Sequence, residues 1–165
     1  MARLLFVLLL AWGGAGSAVA ANLPPHWQLG YPDLDGQTRT LSQWQGRIVA
    51  VNFWATWCPP CLREIPEFVE FQAAHEGELQ IVGIGMDDAD KLANVARTLN
   101  INYPILVSDP RQNLGLLSEW GNNRGVVPYT VFFDADGEMR IKHRGPLDRE
   151  TLESYFAELQ LPRKR

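Results

Sequence analysis

Cysteine is scarce in this chain: Cys58 and Cys61 are the two among 165 residues. A bridge between residues so close together closes no long loop, which makes it a weak staple for a fold. Histidine is nearly as rare. Structural zinc takes four Cys or His ligands, the CxxC spacing supplies two, and His26, His75 and His143 stand at no finger-like spacing. Covalent haem attachment wants CxxCH, and Leu62 fills the last place. Three methionines and no histidine beside the pair weigh against a copper carrier. Positive charge is in deficit as well, with 15 Lys and Arg against 19 Asp and Glu for a net −4. That balance excludes the broad basic field that nucleic-acid binding requires. There is no internal repeat and no low-complexity stretch.

Long apolar runs are missing except at the start. "MARLLFVLLLAWGGAGSAVA" has a basic Arg3, an apolar run Leu4–Trp12, loosening glycines and a small-x-small end at Ala18–Ala20. That is the plan of a secretory signal peptide cleaved after Ala20. The run is short of the roughly 20 residues that span a bilayer, which argues against a retained anchor. No cysteine lies near the cut, so a lipid anchor there is excluded. Cleavage removes Arg3 and no acid, leaving 14 basic against 19 acidic residues and a net −5. The expected organisation is a signal peptide over 1–20 and one domain over 21–165, exported to a periplasm where disulfides can form and persist. The basic end "PRKR" reads as a solvated terminus.

What the chain does have is a regular alternation of strand and helix patterns. "ANLPPHW" reads as an extended leader, since Pro24-Pro25 opposes helix. "LDGQTRTLSQWQG" carries the turn signal Asp35-Gly36 between two short strand candidates. "RIVAVNFWA" is a continuous apolar run suited to a strand buried on both faces. From Pro59 the period changes, and Leu62, Ile65, Phe68 and Val69 mark an amphipathic helix ending near Gly77. "LQIVGIGMD" is a second buried strand and "DADKLANVARTLN" a second helix. "YPILVSD" is a short strand and "NLGLLSEWG" a short helix. "PYTVFFDADGEMRIKHRG" is a hairpin about DADG, and "LDRETLESYFAELQ" closes the chain as an amphipathic helix. The pattern predicts an α/β sandwich: a central mixed β-sheet with helices on both faces and a small N-terminal β-hairpin extension.

The cysteine pair falls at the end of the first long strand and the beginning of the helix. Cys58 therefore sits by the unpaired N–H groups and positive dipole end that favour thiolate over thiol. Cys61, one turn in, is the more enclosed of the two. A redox role fits that position better than a metal site.

"VNFWATWCPPCLREIP" resembles the active-site segment of thioredoxin-fold proteins, and most closely of exported TlpA/ResA/CcmG-like thiol–disulfide oxidoreductases. "YPDLDGQTRTLSQWQGR", "QIVGIGMDD" and "RGVVPYTVFFDADGEM" extend the resemblance across roughly residues 27–160. It implies a thioredoxin-like sandwich with a redox-active Cys58–Cys61 disulfide, Cys58 as the exposed nucleophile and Cys61 as the resolving thiol. It implies that Pro128 is the cis-proline lying against the pair, which frees the backbone of Val127 to pair with an extended substrate segment. Trp57 is expected on an apolar platform beside Cys58, whereas Phe53 and Trp54 read as core. Asn52 departs from cytosolic thioredoxin, which has a buried Asp there as a proton relay. Glu64, one turn after Cys61, is the candidate replacement, because ResA-like members carry a glutamate at this place. The bland alternative for Glu64 is an exposed first-turn residue favoured by the dipole.

Direction of electron flow follows from the two prolines. They have no N–H to offer the Cys58 sulfur, which leaves its thiolate less stabilised and the pair more reducing. The resemblance implies a reductase of client disulfides in cytochrome c or copper-protein maturation. Its electron donor would be a membrane thiol carrier of the DsbD/CcdA type, and it would need no cofactor or metal and act as a monomer. The alternatives are a general oxidant or isomerase and a copper-binding chaperone. A peroxiredoxin-like peroxidase wants a threonine three residues before its cysteine, and Ala55 stands there.

Overall fold

The structure is a computed structural model and describes residues 23–108 and 113–162. The expected signal peptide with its cut after Ala20 and the basic end Arg163–Arg165 lie outside the described residues. No helix among the described residues is long and apolar enough to cross a membrane.

Seven strands and five α-helices follow in chain order among those residues. Helix α1 is Pro25–Gln28, strands β1 and β2 are Tyr31–Pro32 and Thr38–Arg39, and a 3-10 turn covers Leu41–Trp44. Then come β3 (Ile48–Trp54), α2 (Pro59–Ala74), β4 (Leu79–Gly85), α3 (Ala89–Thr98) and β5 (Ile105–Val107). Helix α4 (Asn113–Glu119), β6 (Tyr129–Phe133), β7 (Met139–Arg144) and α5 (Arg149–Gln160) complete the fold. The main sheet runs β5-β4-β3-β6-β7. Its β3–β4 and β4–β5 pairs are parallel, and its β3–β6 and β6–β7 pairs antiparallel. The expected mixed α/β sandwich is the observed architecture.

One expectation fails. The Pro24-Pro25 segment is not extended; it starts the short helix α1 with Pro25 in the first turn. Proline is tolerated there because the first N–H groups of a helix have no internal partner anyway. The turn has a tertiary purpose. Trp27 is completely buried and its indole N–H donates to the Gly137 carbonyl at 2.9 Å. Gly137 turns the β6–β7 hairpin at φ +87°, a conformation that favours glycine.

Strand β3 is buried along its whole length, as the unbroken apolar run requires. Val49, Val51 and Phe53 pack with Trp27, Leu41, Leu117 and Trp120. Ile48 and Ala50 point the other way, toward Phe68, Phe71, Leu152 and Phe156. Strand alternation puts Asn52 on that second face, under α2. Each large apolar side chain sealed there contributes about 1.5–3 kcal/mol, so the centre of the sheet is a stiff base for whatever β3 carries. Close fit also shapes β4: a Cβ on Gly83 would lie 2.9 Å from Trp54 Nε1 and 3.4 Å from the Tyr103 ring. The N-terminal hairpin covers the β5 edge through an antiparallel bridge from Asp33 to Leu106.

Candidate active site

The site is built where β3 gives way to α2. Cys58 leaves the strand in extended conformation and is the N-cap of α2, with Pro59 and Pro60 as the first two helical residues. Its N–H donates to the Ala55 carbonyl at 3.2 Å, and its carbonyl accepts from Leu62 N–H at 3.2 Å. The Cys61 N–H donates to Cys58 Sγ at 3.3 Å. That is the third position of the helix, the first that carries an N–H at all. Cys58 and Cys61 form a disulfide with an S–S distance of 2.10 Å.

Across from the pair lies the turn before β6. The Val127–Pro128 peptide bond is cis, and the Val127 carbonyl oxygen sits 3.7 Å from Cys58 Sγ. A disulfide sulfur has no proton to give, so this is a contact and not a hydrogen bond. It also explains a difference from expectation. Cys58 is 4% exposed rather than open, because the Val127 carbonyl covers it, while Cys61 is fully buried. The apolar surroundings of that small opening are far more accessible: Trp57 is 67% and Val126 49% exposed. The turn is held from beneath, where the buried Asn122 donates through Nδ2 to the Val126 carbonyl at 2.6 Å.

The other half of the site is interior. Glu64 is buried, which removes the bland reading of an exposed first-turn acid. Its Oε1 accepts from Asn52 Nδ2 at 2.9 Å and its Oε2 from the Leu147 N–H at 2.9 Å. Burial pushes the carboxyl up to about 7, against the opposing pull of the Leu147 and Asn52 donors. Asn52 Nδ2 also donates to Thr130 Oγ1 at 3.0 Å. Cys61 and Glu64 are three residues apart on α2 and both buried, hence neighbours on the face turned to the sheet.

Thr56 ties the loop ahead of Cys58 to the next crossover. Its hydroxyl donates to Asp87 Oδ2, and Asp87 Oδ1 accepts from Asp88 N–H at 2.8 Å and Lys91 Nζ at 3.0 Å. The hydroxyl nearest in sequence to Cys58 is thus committed elsewhere, and Ala55 offers none for peroxide.

The structure brings Cys58, Trp57, Val127 and Pro128 together at one rim, with Cys61 and Glu64 buried behind it. Sequence reasoning did not find the parts played by Thr130, Leu147, Val126 or the Thr56–Asp87 bond. Thr130 was open to discovery, since it stands two residues after Pro128 on a strand with an inward face. The Leu147 contact comes from backbone N–H and leaves no trace in residue type.

The AhpC/TSA family profile matches residues 20–142. The thiol-disulfide oxidoreductase ResA of Bacillus cereus is 27% identical over 129 residues, 77% of this chain and 72% of that protein. The thioredoxin-like protein YneN of Bacillus subtilis is 28% identical over 124 residues, 73% of this chain and 69% of its own. Among solved structures, the dsbF protein of MTB superposes with a TM-score of 0.72 over 84% of this chain and all of its own, at 23% identity. That likeness establishes the fold. With the disulfide at the head of α2 and the family profile over most of its length, the chain belongs to the AhpC/TSA family and is a thiol–disulfide oxidoreductase of thioredoxin fold.

Proposed function

We infer that the chain works as an exported, periplasmic reductase of client disulfides. The observation that carries this reading is the poverty of donors at the head of α2. Pro59 and Pro60 occupy its first two positions, and the Cys61 N–H is the donor aimed at Cys58 Sγ. A thiolate held by fewer N–H groups makes the reduced form less favoured and the pair more ready to give up its electrons. A buried acid next to Cys61 acts in the same direction once ionised, because like charge disfavours the thiolate.

In the proposed cycle the Cys58 thiolate attacks a client disulfide, forming a mixed disulfide and releasing one client thiolate. Cys61 then gives its proton to Glu64, and its sulfur attacks Cys58. The Cys58–Cys61 bond forms, the bond to the client breaks, and the client leaves with both electrons. Trp57 and Val126 offer apolar surface beside Cys58, and the backbone at Val127, which lies against Cys58, is the proposed partner of an extended client segment. Catalytic roles are assigned to Cys58, Cys61 and Glu64, and client-binding roles to Trp57, Val127 and Pro128. The signal-like segment 1–20 supports export, with the domain beginning at residue 21 and acting as a monomer. In an oxidising compartment such a reductase needs electrons, for which a membrane thiol carrier of the DsbD/CcdA type is the proposed donor. Cytochrome c precursors and copper-site proteins are the proposed clients.

Equilibration of the pair against dithiothreitol or glutathione buffers tests the direction. The reading expects a potential near the thioredoxin value of about −270 mV, and a value near about −120 mV contradicts it.

A further inference from the structure

Asn52 is completely buried in the middle of β3, the central strand of the sheet. Its amide is held between two oxygens, donating through Nδ2 to Glu64 Oε1 at 2.9 Å and to Thr130 Oγ1 at 3.0 Å. Its Oδ1 is buried without a hydrogen-bond partner. Thr130 is the direct neighbour of Asn52 across the β3–β6 pairing and Glu64 sits in the body of α2, so the three groups are fixed by strand register and a helix and not by loop geometry.

A primary amide has nearly the same shape at both ends, and a half-turn about its last bond exchanges donor for acceptor. Both partners of Nδ2 can reverse their own roles. Thr130 does so by rotating its hydroxyl, and Glu64 does so when its carboxyl carries a proton. A carboxylic acid and a hydroxyl are two donors, and an amide oxygen has two lone pairs. The match is therefore two for two in either sense, and the outward end of the amide is unpaired in both. A carboxylate in place of this amide could not donate, and an alcohol, with one proton, could not donate to both oxygens.

We propose that Asn52 is a positioning residue that follows the proton on Glu64: its amide donates to the Glu64 carboxylate and turns over to accept from the Glu64 acid, with Thr130 reversing its hydroxyl in step. Glu64 then takes and releases the proton exchanged with Cys61 without leaving either of its own states unpartnered. The inference rests on Glu64 as the proton acceptor of the proposed cycle, and not on the direction of electron flow. From the other elements packed around Glu64, the Leu147 N–H faces Oε2 throughout. Among the described residues, the titratable group facing Glu64 is the buried Tyr103 phenol ahead of β5, which burial and the charge of Glu64 push up and so keep neutral; Cys61 on its own helix joins it when the disulfide is reduced.

The test is side-chain NMR on the full oxidised chain. NOEs from the Asn52 Nδ2 protons to the Thr130 β-proton are followed from about pH 8.5 to about pH 5.5, alongside the Glu64 carboxyl carbon. The NOEs should weaken several-fold over the pH range in which Glu64 titrates. In Glu64→Gln, whose Nε2 mimics the donor of the acid, the low-pH pattern should hold at every pH. Asn52→Asp cannot donate to Glu64 and should bind one shared proton at least tenfold more tightly than Glu64 does alone. An Asn52 amide that keeps one orientation while Glu64 titrates overturns the proposal. So does a Glu64 that stays in one protonation state across the range. The wild-type measurement stands if Asn52→Asp does not fold. An oxidising potential leaves these NOEs untouched, so the two readings fail separately.

Discussion

The two halves of the site are one helical turn apart and are built on opposite principles. The rim at Trp57 and Val126, around the nearly covered Cys58, is apolar and carried on loops, with Trp57 67% exposed. The interior at Cys61, Glu64, Asn52 and Thr130 is sealed and carried on the central strands and the body of α2. A rim of that kind can meet many clients, because backbone and apolar contacts ask little of the partner's sequence. The proton transfer proposed for the interior needs fixed distances and excluded water, and the buried Glu64–Asn52–Thr130 contacts offer both. The contrast fits the proposed cycle, in which capture lies outside and proton transfer inside.

The largest effect should come from severing the two halves at the sulfurs. Cys61→Ser should abolish turnover and accumulate mixed disulfides on Cys58, visible as high-mass adducts that dithiothreitol removes. Cys58→Ser should abolish turnover and accumulate none. Adducts on Cys61 in the second variant would mean that the interior thiol is the one clients reach.

Next in size is the cost of the interior acid. The folded pKa of Glu64 is raised to about 7 from 4.5, so the folded state binds the proton more tightly than the unfolded chain. Its contribution is fully present below about pH 4.5 and is lost as pH rises through about 7, a loss of roughly 3 kcal/mol. Urea unfolding of the oxidised protein should therefore show wild type losing stability against Glu64→Gln over that window. Parallel pH curves for the two proteins would show that Glu64 does not titrate there.

Thr56→Val sharpens the boundary between the halves. It leaves Asp87, a buried acid, short of one donor, and should cost about 1–3 kcal/mol of stability. Because the Thr56 hydroxyl is bonded to Asp87 and not to the interior acid, the redox potential should stay at the wild-type value. Trp57→Ala is expected to be the mildest change. It should raise KM for a protein client roughly five-fold, about 1 kcal/mol, with kcat and potential preserved. A fall in kcat with KM unchanged would move Trp57 out of client capture.

The fold was legible because its signals are local and strong. An apolar run such as Ile48–Trp54 has few alternatives to a central strand, and the period change at Pro59 marks its helix. The Pro24-Pro25 segment misled because a proline pair opposes helix interiors but suits a first turn, and because the burial of Trp27 decides the matter from a distance. In the site, Cys58, Cys61 and Glu64 were readable from spacing and resemblance. The covering of Cys58 by Val127 was not, since it depends on how two segments 69 residues apart meet. Nor was the tie between Asn52, Thr130 and Glu64, which strand register and the packing of α2 on the sheet create between residues that look unremarkable one at a time.

The central claim is that the buried acid and the dithiol act together, and the pH dependence of the redox potential tests it most directly. Below the pKa values of its thiols a dithiol alone follows a straight line of about −59 mV per pH unit, two protons for two electrons. In the wild-type protein that line should bend at about pH 7, and the bend should be absent from Glu64→Gln. A straight line through that region in wild type, or the same bend in both proteins, would contradict it.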